Sequence, residues 1–415
     1  MMSDDKQLVA IVGGTLLDGT GREPIKDATV LFNESIIKVG PSEDIKLPNK
    51  VEAINAAGMT VLPGLIDAHI HLSGRRTRDQ LRDIIESDSL KAIRCVVDVN
   101  NALEMGFTTL RDVGSTIGLS LRTAINEGTV LGPRIVTAHK IISQTAGHGD
   151  IHYLPLSWVK ESGRLIVDGP DECRKAARMN IREGVDLLKL CSTGGVMSQK
   201  DVPGSPQFTI DEIKAIVEEG HRVGIKVASH AQGAEGIKNA IISGVDTIEH
   251  GTYIDDEGIQ MMIEEKKILV PTLAINWKII TEGEKFNISP WALSKAKDAA
   301  EVKYRNTMKA YKAGVKIAMG TDFSSPPMTP LGENAIELWL LVREGMKPMD
   351  AIVSATKNAA EAADLDKKLG TLEKGKLADL IIVEGDPLKD IKILQDKTKI
   401  KMVFKGGNVM VDRRN

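Results

Sequence analysis

PGLIDAHIHL, residues 63–72, is the stretch whose reading decides the fold. It reads as an apolar β-strand that turns polar only at its end, in His69-Ile70-His71. Side chains two apart on a strand share a face, so His69 and His71 can reach one metal ion. Imidazole is a common ligand for zinc and related ions. A lone H-x-H among 8 histidines is a weak signal, and its weight depends on what the rest of the chain places beside it.

Seven more short apolar runs follow, alternating with longer helical patterns: FTTLRDVG near 107, PRIVTAHKI near 133, VDLLKLCS near 185, IKVASHA near 225, VDTIEHG near 245, ILVPTLA near 268 and VKIAMGTDF near 315. Alternation of this kind is the signature of a parallel α/β fold, and eight units over roughly 300 residues suit a (β/α)8 TIM barrel spanning 61–360. Thr209 and Glu212 form a T-x-x-E capping box ahead of Ile213, Ile216 and Val217 at helical spacing, so a helix starts there. From Leu81 to Met105 the spacing places Leu81, Ile84, Ile85, Ile93, Val96 and Val97 on one apolar face, expected to pack outside the barrel. Both ends of the chain have a different texture. Residues 8–60 and 371–413 are short alternating runs punctuated by Gly, Asp and Asn, which read as antiparallel strands and turns. One small β-sandwich domain built from both termini, 1–60 and 361–415, accounts for them.

Composition sets the outer limits. The 415 residues are 42% apolar and 27% charged, as in a water-soluble globular protein. With 54 Lys and Arg against 57 Asp and Glu and no basic stripe, nucleic acid is not an expected partner. No apolar stretch is long enough for a spanning helix and the N-terminus lacks a secretory pattern, so no membrane partner and a cytoplasmic location are expected. Cys95, Cys173 and Cys191 are odd in number and far apart, and read as reduced core thiols. The sequence leaves the oligomeric state open, a homo-oligomer included.

Active sites of such barrels lie at the C-terminal ends of the strands. Strand one ends in His69 and His71, strand four carries Lys189, strand five ends at His230, strand six at His250 and strand eight at Asp322. So many nitrogen and oxygen donors at equivalent positions point to a metal centre. An ammonium at Lys189 facing bound cations is disfavoured, so this residue either loses its charge or gains a partner. Reaction with carbon dioxide gives a carbamate that can bridge two metals; a protonated Lys189 paired with a substrate carboxylate is the alternative.

These runs, with GFTTLRDVG at 106–114, LLKLCSTGGVMS at 187–198, SHAQGAEG at 229–236, MGTDF at 319–323 and GKLADLIIVEGDP at 375–387, resemble the amidohydrolase superfamily, within it the imidazolonepropionase-like and Xaa-Pro dipeptidase-like group. The resemblance covers nearly the whole chain. It implies two divalent ions, zinc the expected one, with His69 and His71 on the first, His230 and His250 on the second, a carboxylated Lys189 between them, and Asp322 on the first metal handling the proton. A shared hydroxide would then be the nucleophile. It also implies that His148, in QTAGHGD, contacts the scissile carbonyl oxygen or the oxyanion it becomes. His139, His152 and His221 receive no role, His221 being expected on a solvated helix position.

Some dipeptidase-like members carry Tyr where this chain has Gln232, so Gln232 is a candidate substrate contact and peptide specificity does not transfer directly. The leading expectation is a binuclear hydrolase of a dipeptide or N-acyl amino acid, with Xaa-Pro dipeptides the nearest analogy. A mononuclear deaminase or cyclic-amide hydrolase would leave Lys189 unmodified, and imidazolonepropionases do not use a bridging lysine. A catalytically silent scaffold on the same fold is a third reading, against which Asp322 argues, since a structural metal needs no base.

Overall fold

The computed structural model describes residues 7–77 and 79–414. Five strands open the chain: β1 (Val9–Leu16), β2 (Ile25–Phe32), β3 (Ile36–Pro41), β4 (Glu52–Asn55) and β5 (Met59–Pro63). Ten belong to the middle: β6 (Leu65–Ile70), β7 (Phe107–Asp112), β8 (Arg134–Thr137), β9 (Ile142–Ser143), β10 (Leu165–Ile166), β11 (Leu187–Cys191), β12 (Lys226–Ala231), β13 (Thr247–His250), β14 (Ile268–Val270) and β15 (Lys316–Ile317). Three close it: β16 (Leu380–Glu384), β17 (Ile400–Lys405) and β18 (Asn408–Asp412).

The terminal strands form one sheet in the order β18-β17-β16-β5-β1-β2-β3, with β4 also on β1. It is mixed, which corrects the expectation of antiparallel strands: β4 and β5 both run parallel to β1. Residues 42–51 carry the chain back to the starting end of β1 before β4 begins. The sheet curls over itself, so that Phe32 of β2 meets Phe404 of β17 edge to face, ring centroids 5.3 Å apart. Strand alternation then divides the work of β16 and β17. Leu380, Ile382, Met402 and Phe404 fill the sheet's own core, while Ile381, Val383 and Val403 join the core of the barrel.

The middle strands are parallel, in two ladders, β6-β7-β8 and β10-β9-β11-β12-β13-β14-β15. Hydrogen bonds outside the ladders close the ring: Asp186 N donates to Thr137 O (2.9 Å), and Ala68 N donates to Met319 O (2.9 Å). A further parallel bridge joins Ile70 and Phe323. Every residue of β6, β7, β11 and β13 is buried. Strands covered on both faces have no solvated side, which is why they read as apolar runs rather than as alternating ones.

The helix Ile210–Arg222 starts at Thr209 with the expected reciprocal capping box. The segment 81–105 differs from expectation. It is two helices, Gln80–Ile85 and Asp88–Glu104, the second capped by the Ser87 side chain. The longer helix buries Cys95, Asp98, Val99, Ala102 and Leu103, whereas Leu81, Ile85, Ile93 and Val97 are exposed. The face inferred from the sequence spans the break at Glu86-Ser87, and a helix that restarts there presents a different stripe to the barrel. Among the described residues no helix is long and apolar enough to cross a membrane.

Candidate metal centre

His69, His71, Lys189, His230, His250 and Asp322 all line one cavity of about 50 Å3, with His148, Cys191 and Ile141 completing its wall. His71, His148, His230, His250 and Asp322 also line a cavity of about 960 Å3, so the small cavity is the floor of the large one. Gln232 lies on the wall of the large cavity, where its amide oxygen accepts from Thr252 Oγ1 (2.9 Å).

Strand ends bring the donors together. His69 is on β6 and His71 just past it, where His71 N donates to Phe323 O (2.8 Å). Lys189 is on β11, His230 on β12 and His250 ends β13. Asp322 lies five residues past β15, in an irregular stretch pinned by its own N–H to His69 O (2.7 Å). Three of the chain's left-handed residues sit at this floor: His250 (φ 75°), Asp322 (φ 60°) and Thr272 (φ 51°). The β-branched Thr272 is strained there, and such strain persists only where the surroundings over-determine it. They do. Lys303 Nζ donates to Thr272 O (2.8 Å) and Oγ1 (3.1 Å), and the Glu337 carboxylate accepts from the next two amides, Leu273 N (2.9 Å) and Ala274 N (2.6 Å).

Each ring at the floor has one nitrogen committed. Nδ1 of His69 meets the Glu249 carboxylate (2.6 Å), Nδ1 of His71 the Gly114 carbonyl (2.9 Å), and Nδ1 of His250 the Thr272 hydroxyl (2.7 Å). The carboxylate and the carbonyl only accept, so those two rings carry the proton at Nδ1 and keep a bare Nε2, the state a metal needs. Asp322 Oδ1 is 3.3 Å from His71 Nε2 and 3.6 Å from His69 Nε2. Ligand atoms of His69, His250 and Asp322 converge within 4.8 Å of one another, which makes these three a divalent-metal site. His230 is turned otherwise: its Nε2 faces the Gly194 carbonyl (3.0 Å), which leaves Nδ1 as its open nitrogen.

The electrostatics suit cation binding. Burial and the nearby Lys189 push His69 down to about 4, against the pull of Glu249 and Asp322. Burial also holds His230 and His250 well below the usual imidazole range, so the rings are neutral. Burial would raise the Asp322 carboxyl, but the adjoining His71 and His69 rings and the charge of Lys303 bring it to about 2. Lys189 Nζ is buried with no hydrogen-bond partner among the described residues, and burial pushes its amine below the ordinary lysine range. An orphaned amine whose charged form burial disfavours, facing a cluster of imidazole nitrogens, fits a site that is completed by a metal. Cys191, expected as core packing, is on the cavity wall, where burial lifts its thiol to about 11.

Several supporting residues had no reading in the sequence. Glu249 joins His69 to Arg111, whose guanidinium donates to Glu249 Oε1 (3.1 Å), Ala68 O (2.9 Å) and Thr247 Oγ1 (2.8 Å). Burial would raise Glu249, yet Arg111 and His69 hold its carboxyl well below the usual carboxylate range. A charged residue inside the apolar run FTTLRDVG was the available signal for Arg111. His148 stacks on His230 at 4.0 Å, and its Nδ1 meets Ser198 Oγ (2.9 Å), which in turn donates to the Asp201 carboxylate. Gly195 permits this approach, since a Cβ there would collide with the His148 ring. Of the three histidines without an assigned role, His139 and His152 line the large cavity, and His221, on its helix, pairs with Asp246 (2.9 Å).

A closed ring of parallel strands with neutral imidazoles and a carboxylate at its C-terminal mouth defines a metal-dependent hydrolase. Residues 60–410 match the model of the amidohydrolase family, and the chain belongs to that family. It is 35% identical to the ochratoxinase of Aspergillus niger over 98% of this chain and 87% of the relative. The crystal structure of A. niger ochratoxinase superposes with a TM-score of 0.91, covering 99% of this chain and 97% of that one at 32% identity. A Xaa-Pro dipeptidase with methionine bound in its active site gives 0.86 at 34% identity, covering 97% and 99%. A prolidase in complex with N-methylphosphonate-L-proline gives 0.90 at 31% identity, covering 98% and 100%. The protein is an amidohydrolase acting on carbon–nitrogen bonds.

Proposed function

We propose that the chain is a binuclear hydrolase of the amide bond in dipeptides or N-acyl amino acids. The observation that carries this reading is Lys189, whose amine has no hydrogen-bond partner among the described residues in a cavity also lined by His69, His71, His230, His250 and Asp322. The neutral Nζ would bond the carbon of carbon dioxide as one C=O π pair moves onto oxygen, and solvent water would take the proton that the nitrogen loses, leaving an anionic two-oxygen carbamate. That group would bridge an ion on His69, His71 and Asp322 and a second on His230 and His250. When bound, the ions, zinc in this reading, supply Lewis acidity that polarises the scissile carbonyl and makes water a better nucleophile at neutral pH.

The chain's own groups then manage protons and charge. Asp322 accepts the proton from the attacking water and returns one to the departing nitrogen. Ser198 gives its hydrogen to Asp201 and accepts from His148 Nδ1, so His148 meets the substrate through Nε2. Burial pushes this ring down to about 4, against the pull of Asp201 and Asp322, so it rests neutral; taking up a proton at Nε2 as negative charge develops on the scissile oxygen would let it hold the oxyanion. Gln232 offers its amide NH2 to the substrate while Thr252 holds its oxygen. The large cavity supplies room for both halves of a dipeptide, and the relatives include a Xaa-Pro dipeptidase and a prolidase.

A mononuclear hydrolase is the second reading. The observation in its favour is that, among the described residues, only His69, His250 and Asp322 converge within 4.8 Å, with His230 Nε2 turned to Gly194. Lys189→Ala separates the two. On the binuclear reading it loses activity on the best dipeptide or N-acyl amino acid in a kcat/KM screen, and short carboxylic acids partly restore it. Wild-type rate and metal content in the variant would leave the mononuclear reading standing.

A further inference from the structure

We infer that Asn276 is a carboxylate-binding residue of the large cavity, presented to the ligand by Lys303. This rests on reading that cavity as the substrate site. Asn276 is on the first turn of the helix Leu273–Glu282, and Lys303 projects from the helix Pro290–Ala313; both line the large cavity and are almost fully buried, at 4% and 2% exposure.

An ammonium has three hydrogens and no lone pair. Those of Lys303 are taken by Thr272 O (2.8 Å), Thr272 Oγ1 (3.1 Å) and Asn276 Oδ1 (2.8 Å). Because the lysine only donates, Asn276 turns its carbonyl oxygen to Lys303 and its NH2 the other way. Among the described residues the one side-chain hydrogen bond of Asn276 is this one from Lys303, so its NH2 meets no acceptor, and Lys303 forms no ion pair. Lys303 cannot bind a ligand itself, since its donors are spent. What it does is fix the Asn276 amide and place a positive charge behind it.

A donor backed by a cation selects for an anionic oxygen. A neutral carbonyl or hydroxyl gains the hydrogen bond without the charge, whereas a carboxylate gains both. The neighbouring lining, Ile275, Ile279, Ile288 and Trp291, is apolar and would seat an aliphatic side chain beside that carboxylate.

Asn276→Asp separates this from a structural role, because the aspartate still offers Lys303 an oxygen but replaces the NH2 with a second one. The probes are L-leucine and L-leucinol, which differ only in carboxylate against hydroxymethyl, titrated calorimetrically into the metal-loaded protein. Wild type is expected to prefer leucine by about tenfold or more, and Asn276→Asp to lose about that much for leucine while leucinol changes less than about threefold. If Asn276→Asp does not fold, Asn276→Ala is judged by the same loss for leucine. Leucine affinity within about twofold of wild type in the folded variant, or a wild type that binds both probes equally or neither, would overturn the inference. Failure of the hydrolase reading looks different: no dipeptide or N-acyl amino acid is turned over, yet leucine binding still depends on Asn276.

Discussion

In the proposed mechanism Asp322 meets two demands at one carboxylate: it lies with His69 and His250 in the metal site, and it lines the large cavity, where it would act as the base. Asp322→Asn keeps a weak ligand and removes the proton acceptor. Its kcat is therefore expected to fall by about 100-fold to 10,000-fold with the fold intact. A folded, metal-loaded variant within about threefold of wild type would show that the proton goes elsewhere. Beneath it, Asp67 accepts from His69 N, Thr321 N, Thr321 Oγ1 and Asn334 Nδ2. Burial lifts its carboxyl from 3.8 to about 6 in spite of those bonds. A folded pKa above the unfolded one means that the folded state binds the proton more tightly, so this contribution is complete below pH 3.8 and is lost as pH rises through 6. The loss over that window is about 3 kcal/mol, two pH units of differential ionisation. In chelator-treated protein, urea unfolding of wild type against Asp67→Asn should move in favour of the variant by that order between pH 4 and 7. A difference independent of pH would mean that Asp67 is ionised throughout. His69, His71, His230, His250 and Asp322 were legible because each falls at the end of an apolar run, although the strand of the last run stops at Ile317, five residues short of Asp322. Glu249, Thr272 and Lys303 were not: Glu249 hides beside His250, Thr272 looks like a turn residue, and Lys303 shows only as a charge in the buried stripe Ala296, Ala299, Ala300.

Among the elements, strands were easier to read than helix faces. A strand buried on both sides announces itself by composition, whereas a helix with two apolar stripes does not say which one the barrel covers. The helix Asp88–Glu104 exposes Ile93 and Val97 and buries Val99 and Leu103. Ile93→Glu is therefore expected to change stability by less than about 0.5 kcal/mol. Leu103→Ala should cost about 2–5 kcal/mol. Denaturant midpoints compare the two directly, and the reverse order would restore the face first inferred from the sequence. The parallel course of β4 and β5 was equally hidden, because alternation fixes which side chains point inward but not which way a strand runs.

For the molecule as a whole, the two chain ends are knitted into one sheet whose inner face has its own core and whose outer face packs on the barrel. The amidohydrolase fold thus closes over a floor where five imidazoles and one carboxylate meet a lysine that has no hydrogen-bond partner among the described residues. The account's central claim is that this floor holds two ions bridged by a modified Lys189, and metal analysis tests it most directly. Protein loaded with zinc in the presence of bicarbonate and freed of excess is expected to contain two ions per chain, falling towards one in Lys189→Ala. One ion per chain in a fully active wild type would contradict it.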